Sequence, residues 1–301
     1  MTDIRKPYRP KTLIIGWVIA IPVTLALVAF MATNKRFHWD VVGQYITAPA
    51  ILGGIWLTIW LTFVSMAIGI VLGVLLAVAV RSKSGLLSWL ASAYIGFFRG
   101  SPLLVQLIFW YNLSALLPSL SIGGMQIDIN AIITPMTAAI LGLGLNEGAY
   151  MAEIVRAGLL SVDPGQTEAA EALGLRPAQI LRKVVLPQAM RAIIPPTGNQ
   201  LVGMLKNTSL VSVLGAADLL HSAQVIYSMN FQTIPLLIVA TIWYLALTTV
   251  LTVAQHYVEK YFSRSLTNSN FNRKVVKPAV TDQVPTPSVQ FAGETSKESA
   301  V

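Results

Sequence analysis

The stretch Glu168–Pro187, EAAEALGLRPAQILRKVVLP, carries two Glu, two Arg, one Lys, one Gly and two Pro, in a chain that is 54% hydrophobic and only 11% charged. Glu168 to Leu173 are strong helix formers, with Ala169, Ala170, Ala172 and Leu173 giving a small apolar face. Gly174 suits the positive-φ residue that ends a helix, and Pro177 suits the first turn of the next one. Beyond it, Ile180, Leu181, Val184 and Val185 share one face, Arg182 and Lys183 point elsewhere, and Pro187 weakens or ends the helix. The pattern predicts two amphipathic helices of roughly 6 to 10 residues around a glycine turn, too short to cross a bilayer. Amphipathicity alone does not say whether such a pair lies on lipid or docks in a protein groove.

The flanks of this stretch are apolar enough for lipid. Mean hydropathy is +0.65, and 11% charge is under half the roughly 25% of a soluble domain. Leu13–Met31 is an uncharged run of 19 residues, long enough to cover about 28 Å of a roughly 30 Å hydrocarbon core. It exceeds a signal-peptide core and precedes no A-x-A site, so it reads as a retained anchor. Five more apolar segments follow at about 51–80, 89–117, 131–155, 201–220 and 234–257, which predicts an all-α transmembrane bundle of about six spans. Of the 21 Lys and Arg, 17 fall before the first span, at 81–83, at 156–191 or from 260 on. By the positive-inside rule both termini and the Glu168–Pro187 stretch face the cytoplasm of a multi-pass protein in the cell (inner) membrane. Gly69-x-x-x-Gly73 and Gly144-x-x-x-Gly148 are spacings that let helix backbones approach closely. From Ser263 the composition turns to Ser, Thr, Asn, Pro and Lys, too poor in apolar residues to order itself.

The absence of cysteine removes disulfides, thiolate metal sites and cysteine nucleophiles. His38, His221 and His256 lack ligand spacing, no Gly-x-Ser-x-Gly elbow occurs, and no Gly-x-x-x-x-Gly-Lys-Ser/Thr loop is present to cradle phosphates. No catalytic residue, metal site or cofactor is therefore expected in this chain. The net charge of +8 is scattered between apolar segments with no basic stripe, which argues against nucleic acid.

Ionisable groups inside a membrane cost about 2.5–3.5 kcal/mol each and usually face a cavity or a partner. Asn146, Tyr150 and Glu153 fall at i, i+4 and i+7 of one helix with Glu147 beside them, and Lys206, Asn207 and Thr208 lie in the next span. The alternatives are a solute path, in which the carboxylates accept an amino or cationic group and Lys206 or backbone donors meet a carboxylate, a structural Glu–Lys pair joining helices, or Lys206 snorkelling toward headgroups. In FFRGSPLL, Pro102 disfavours α geometry at Ser101, so Arg99 reads as a topological anchor beside a helix break, with a gate or dimer contact as the other reading.

The Glu168–Pro187 stretch resembles the EAA loop of binding-protein-dependent ABC importer permeases. Glu168, Ala169, Ala170, Gly174, Ile180, Leu186 and Pro187 carry that resemblance. GFFRGSPLLVQLIFWY at 96–111, NEGAYMAEIVRAGLLSVDPGQ at 146–166 and PPTGNQLVGMLKNTSLVSVLGAADL at 195–219 are similar to the polar amino acid (histidine/glutamine/arginine-type) branch. The resemblance covers about 200 residues, from Ile51 to Tyr257, and implies a five-helix type I importer core, to which this chain adds an N-terminal helix and a long tail. It further implies that the EAA residues form coupling helices seated on separate ABC ATPase subunits, which bind ATP and Mg. A second permease chain, alike or not, an extracytoplasmic solute-binding protein and a small amino acid substrate complete the implied partners, with the lipid bilayer. The expected organisation is then 1–50 for the N-terminal segment, extra helix and external loop, 51–260 for the core with its coupling loop at 161–196, and 261–301 for a flexible cytoplasmic tail. A nucleotide-independent channel, or an importer of another small polar solute, is the alternative that six spans also allow.

Overall fold

The structure, a computed structural model, describes residues 10–122 and 125–267. The expected N-terminal cytoplasmic segment up to Arg9 and the tail from Asn268 lie outside the described residues. The chain divides into two units, Met1–Phe262 and Ser263–Val301; in the second only the helical backbone of 263–267 is described.

Helix α1, Pro10–Thr33, leads through a 3-10 turn at Lys35–Phe37 to α2, Trp39–Tyr45. Then come α3, Pro49–Val80, α4, Gly85–Gly100, and α5, Leu103–Tyr111. The one-turn α6, Leu113–Leu116, is followed by an antiparallel hairpin of β1, Ser119–Ile122, and β2, Met125–Asp128, in which Ser119 pairs with Asp128. This hairpin is the one addition, among the described residues, to an otherwise helical fold. A further turn, α7, Ile129–Ile132, precedes α8, Pro135–Leu160, which opens on a capping box between Thr134 and Thr137 with proline in its first turn. Helices α9, Pro164–Ala172, and α10, Pro177–Ile180, are followed by α11, Leu186–Asn207, α12, Leu219–Asn230, and α13, Thr233–Thr267.

Helix α8 is the axis of the bundle, with 13 of its 26 residues buried. It runs parallel to α3, and the two small-residue spacings interlock. A Cβ on Gly69 would lie 2.5 Å from Glu147 Cγ, one on Gly144 2.9 Å from Ile68 Cγ2 and one on Gly148 2.6 Å from Leu72 Cδ2, while one on Gly73 would strike Met151 Cβ. Each glycine is thus the hole for a side chain of the other helix, the close approach such motifs permit where lipid supplies no hydrophobic drive for helix association. On the other side of α8, Gly158 takes Ile193 of the antiparallel α11 and Gly142 takes Leu107 of α5.

Among the described residues, α3 and α13 are long and apolar enough to cross a membrane, and two bent pairs raise the number to as many as four: 17–33 with 35–45 at 64°, and 177–214 with 219–230 at 43°. Helix α8 carries Asn146, Glu147, Glu153 and Arg156 along its length: its neighbours bury the first two, while Glu153 and Arg156 stay half-buried and pair with each other. The span expected at 89–117 breaks at Ser101, whose ψ of 144° is extended, as the residue before proline requires. By contrast, α1 is exposed along all its described side chains, and α3 and α13 turn Trp56, Val78, Leu245 and Val250 outward.

Two expectations are corrected. The segment 201–220 is not one span: α11 passes into a 3-10 stretch at Thr208–Leu214, Gly215 takes a φ of 80°, and α12 begins at Leu219. The fully buried Asp218 caps that new helix, accepting from the His221 N–H at 3.0 Å and from the Tyr244 hydroxyl at 3.1 Å, while Thr58 Oγ1 accepts from the Leu219 N–H at 3.1 Å. The second correction concerns Pro187, which does not end its helix. A π turn at Leu181–Val185 joins α10 to α11, and this widening accommodates a residue that lacks an N–H and crowds the preceding turn.

Candidate functional site

Two places draw together the residues that the sequence singled out. The first is a cavity of about 520 Å³ between the α4–α5 break, α8 and α11, lined by Arg99, Ser101, Asn146, Glu147, Tyr150, Gln200 and Asn207 among others. Glu147 is only 3% exposed and accepts a hydrogen bond from Gln200 Nε2 at 3.3 Å. Glu153 sits beyond the cavity edge rather than in its lining. Arg156 grips both of its oxygens, Nε donating to Oε2 at 3.0 Å and Nη2 to Oε1, whereas Arg99 Nη1 stands 3.9 Å from Oε2. The Arg99 guanidinium also lies over the Tyr150 ring, 5.5 Å from its centroid, a cation–π arrangement that the spacing between the two residues could not reveal.

Two guanidinium groups face one carboxylate, and Arg156 makes the close bidentate contact, so one positive charge at this edge is left uncompensated. Glu147, nearly two turns before Glu153 on α8, adds a buried carboxyl group to the same lining. The lining thus brings one guanidinium and one carboxyl group together among neutral amides and a phenol.

Lys206 and Thr208 are not part of this site. Lys206 is exposed on the other side of α11, lining a second cavity of about 340 Å³ with Asn199, Gln255, His256 and Glu259, so neither the expected opposition to Glu147 nor a Glu147–Lys206 pair is formed. Thr208 is fully buried and donates to the Leu205 carbonyl at 2.7 Å. Periodicity identifies which residues share a helix face, but not how the helix is rotated in the bundle, so Lys206 and its neighbour Asn207 were grouped although the structure parts them. Arg99, which the sequence presents as an anchor beside a helix break, lines the cavity, and Gln200, which the sequence does not single out, joins it there. The signal for Arg99 was a charge one turn before a proline break; nothing in the sequence marked Gln200.

The second place is the α9–α10 pair. Asp163 caps α9 through the Gly165 N–H at 2.8 Å. Gly174 has a φ of 76°, and its N–H bonds to Glu171 O at 2.8 Å while the Leu175 N–H bonds to Ala170 O at 3.2 Å. These two bonds are a Schellman cap, in which the left-handed residue is normally glycine. Ala170 and Ile180 are buried at 4% and 3%, but Glu168, Ala169, Ala172 and Leu173 are exposed, Leu173 to 81%. The apolar face expected of α9 therefore reduces to Ala170 alone: the helix is too short, and too far out from the bundle, to bury a full stripe. Glu168 and Ile180 instead line a cavity of about 790 Å³ between the pair and the ends of α3 and α8, near Ala77, Arg81 and Leu159. Leu186 is exposed, and Pro187 stands in the first turn of α11.

Over residues 69–264 the chain matches the family described as binding-protein-dependent transport system inner membrane component. It is 40% identical over 288 residues to the arginine transport system permease protein ArgU of Corynebacterium glutamicum, covering 94% of this chain and 91% of that one, a match long enough to include the greater part of α1. It is 38% identical to the L-cystine transport system permease protein TcyB of Bacillus subtilis, over 78% and 95% of the two chains. A crystal structure of an amino acid ABC transporter with histidines superposes with a TM-score of 0.64 at 36% identity, covering 74% of this chain and 98% of that one. With its interlocked membrane helices and glycine-jointed helix pair, the chain belongs to the family of binding-protein-dependent transport system inner membrane components: it is an integral membrane permease component of an ABC importer, a transport subunit and not an enzyme.

Proposed function

We propose that the chain carries a polar amino acid across the cell membrane, receiving it from an extracytoplasmic binding protein and working beside a second permease chain. The observation that supports this most is that Arg99 and Glu147 line one cavity. Arginine and cystine, the cargoes in the relatives' names, share an α-amino and an α-carboxylate group. In this reading Arg99 meets the carboxylate, Glu147 the ammonium, and Tyr150, Gln200 and Asn207 the remainder, with Asn146 in the wall. The α9–α10 pair, Glu168 to Pro187, docks on a separate ATPase subunit that holds ATP and Mg. Both chain termini then lie on the cytoplasmic side with that pair.

The binding protein sets the capture affinity in uptake, so the test is equilibrium binding of labelled L-amino acids to the purified permease–ATPase complex without it. Arg99→Gln and Glu147→Gln each remove one charge-assisted contact, worth about 1.5–3 kcal/mol, and should weaken binding about ten- to hundredfold. The amount of ATPase co-purified should not change. Wild-type affinity in both variants would reject the cavity as the solute site.

A further inference from the structure

Pro102 has no N–H, so the Phe98 carbonyl four residues before it is deprived of its helical partner. Two side-chain amides converge on that oxygen instead, Asn146 Nδ2 at 3.0 Å and Gln106 Nε2 at 3.0 Å. Gln106 Nε2 also reaches Ser101 O at 3.1 Å and Ser101 Oγ at 2.8 Å, and Gln106 Oε1 accepts from Asn146 Nδ2 at 3.2 Å. The Ser101 hydroxyl in turn donates to Phe97 O at 2.8 Å. Carbonyls left open at the end of α4 are thus met by side chains, in a place where water is scarce: Gln106 is 5% and Asn146 7% exposed.

An unbroken helix would need none of these amides, and burying two of them is costly unless every donor is used. The break has a consequence at the cavity. It turns the chain so that α5 can seat Leu107 against Gly142, and it leaves Arg99, in the last turn of α4, directed along α8 toward Tyr150 and Glu153.

We propose that Gln106 and Asn146 are positioning residues for transport: by satisfying the carbonyl that Pro102 leaves open, they fix the α4–α5 break and thereby aim Arg99 at the solute. This rests on the reading of Arg99 as the carboxylate site, and the experiment separates the two.

Gln106→Leu, Gln106→Glu and the double variant Gln106→Leu/Pro102→Ala are made in the full permease–ATPase complex. Each is measured for thermal unfolding and for equilibrium binding of the L-amino acid that the wild type binds. Both single variants lose the donors and should unfold at lower temperature, the glutamate no less than the leucine, because it keeps the shape but only accepts. In the double variant the Pro102→Ala change supplies a backbone N–H for Phe98 O, so the unfolding temperature should rise above that of Gln106→Leu, short of wild type because straightening the helix disturbs the seat of Leu107 against Gly142. Binding should not recover, and should remain about ten- to hundredfold weaker because the straightened helix carries Arg99 away from its place. A double variant as unstable as Gln106→Leu would overturn the assignment to the proline-deprived carbonyl. A double variant that binds like wild type would overturn the positioning of Arg99. If Arg99→Gln itself binds normally, the solute-site reading fails, whatever the double variant shows.

Discussion

Gly73→Leu is expected to leave no assembled permease, with the protein recovered from the membrane as aggregate and no cooperative unfolding in detergent. A Cβ at residue 73 would meet Met151 Cβ, and it would lie 2.9 Å from the Ala152 nitrogen and 2.9 Å from the Met151 carbonyl carbon. Backbone and side-chain stems cannot rotate away, so α3 and α8 must separate. Overpacking of this kind costs about 1–3 kcal/mol, or more where nothing can yield, and in lipid close packing is much of what holds helices together. A graded series gives the claim its force. Gly73→Ala should destabilise more than Gly148→Ala, because Gly148 meets only the side chain of Leu72, with Cδ2 at 2.6 Å and Cγ at 2.8 Å, whereas Gly73 also meets backbone atoms of α8. Gly53→Ala, in the same α3 with nothing within 4 Å, should be neutral or stabilising by about 0.5–1 kcal/mol through helix propensity. Size-exclusion recovery and unfolding temperatures across the four variants decide it; equal effects at positions 53 and 73 would show that interlocking does not hold the bundle.

The two glycine spacings and the Ser101–Pro102 break were readable because each expresses a local rule, one steric and one about a missing N–H. Their meaning was not. That Gly69 receives Glu147, or that the carbonyl deprived by Pro102 is met by residues 106 and 146, depends on which helices become neighbours. Pro187 shows the opposite failure. A proline in a helical pattern usually ends it, but the π turn before it carries α10 into α11, so the exposed pair and the helix lining the cavity form one mechanical element from Pro177 to Asn207. Motion imposed on α10 therefore has a covalent, helical route to Gln200 and Asn207. This continuity gives physical content to the proposed coupling between an ATPase subunit and the proposed solute cavity, and no periodicity argument could have supplied it.

Leu173→Asp should abolish uptake and detach the ATPase subunit while leaving the permease itself as stable as wild type. Leu173 closes α9 beside the Gly174 cap, and at 81% exposure it contributes almost nothing to packing within the chain. A large apolar side chain held out on a rigid, capped turn has the character of an anchor for a pocket on a partner, and such anchors carry about 2 kcal/mol or more of binding. Replacing it with a carboxylate adds desolvation of a charge to the lost contact, so affinity should fall by about thirtyfold or more. The exposed position makes the experiment clean, because a surface substitution away from packed groups changes stability by about 0.5 kcal/mol at most. Ala170→Asp, at a position 4% exposed on the same helix, supplies the contrast: it should lower the unfolding temperature as well, since it places a charge where the pair packs. The measurements are co-purification of the ATPase, unfolding temperature and uptake for both variants. If Leu173→Asp retains the ATPase and still transports, the exposed tip of the helix pair does not grip the subunit that drives transport, and the contact must be sought on the flank formed by Leu181 and Leu186, exposed to 51% and 42%.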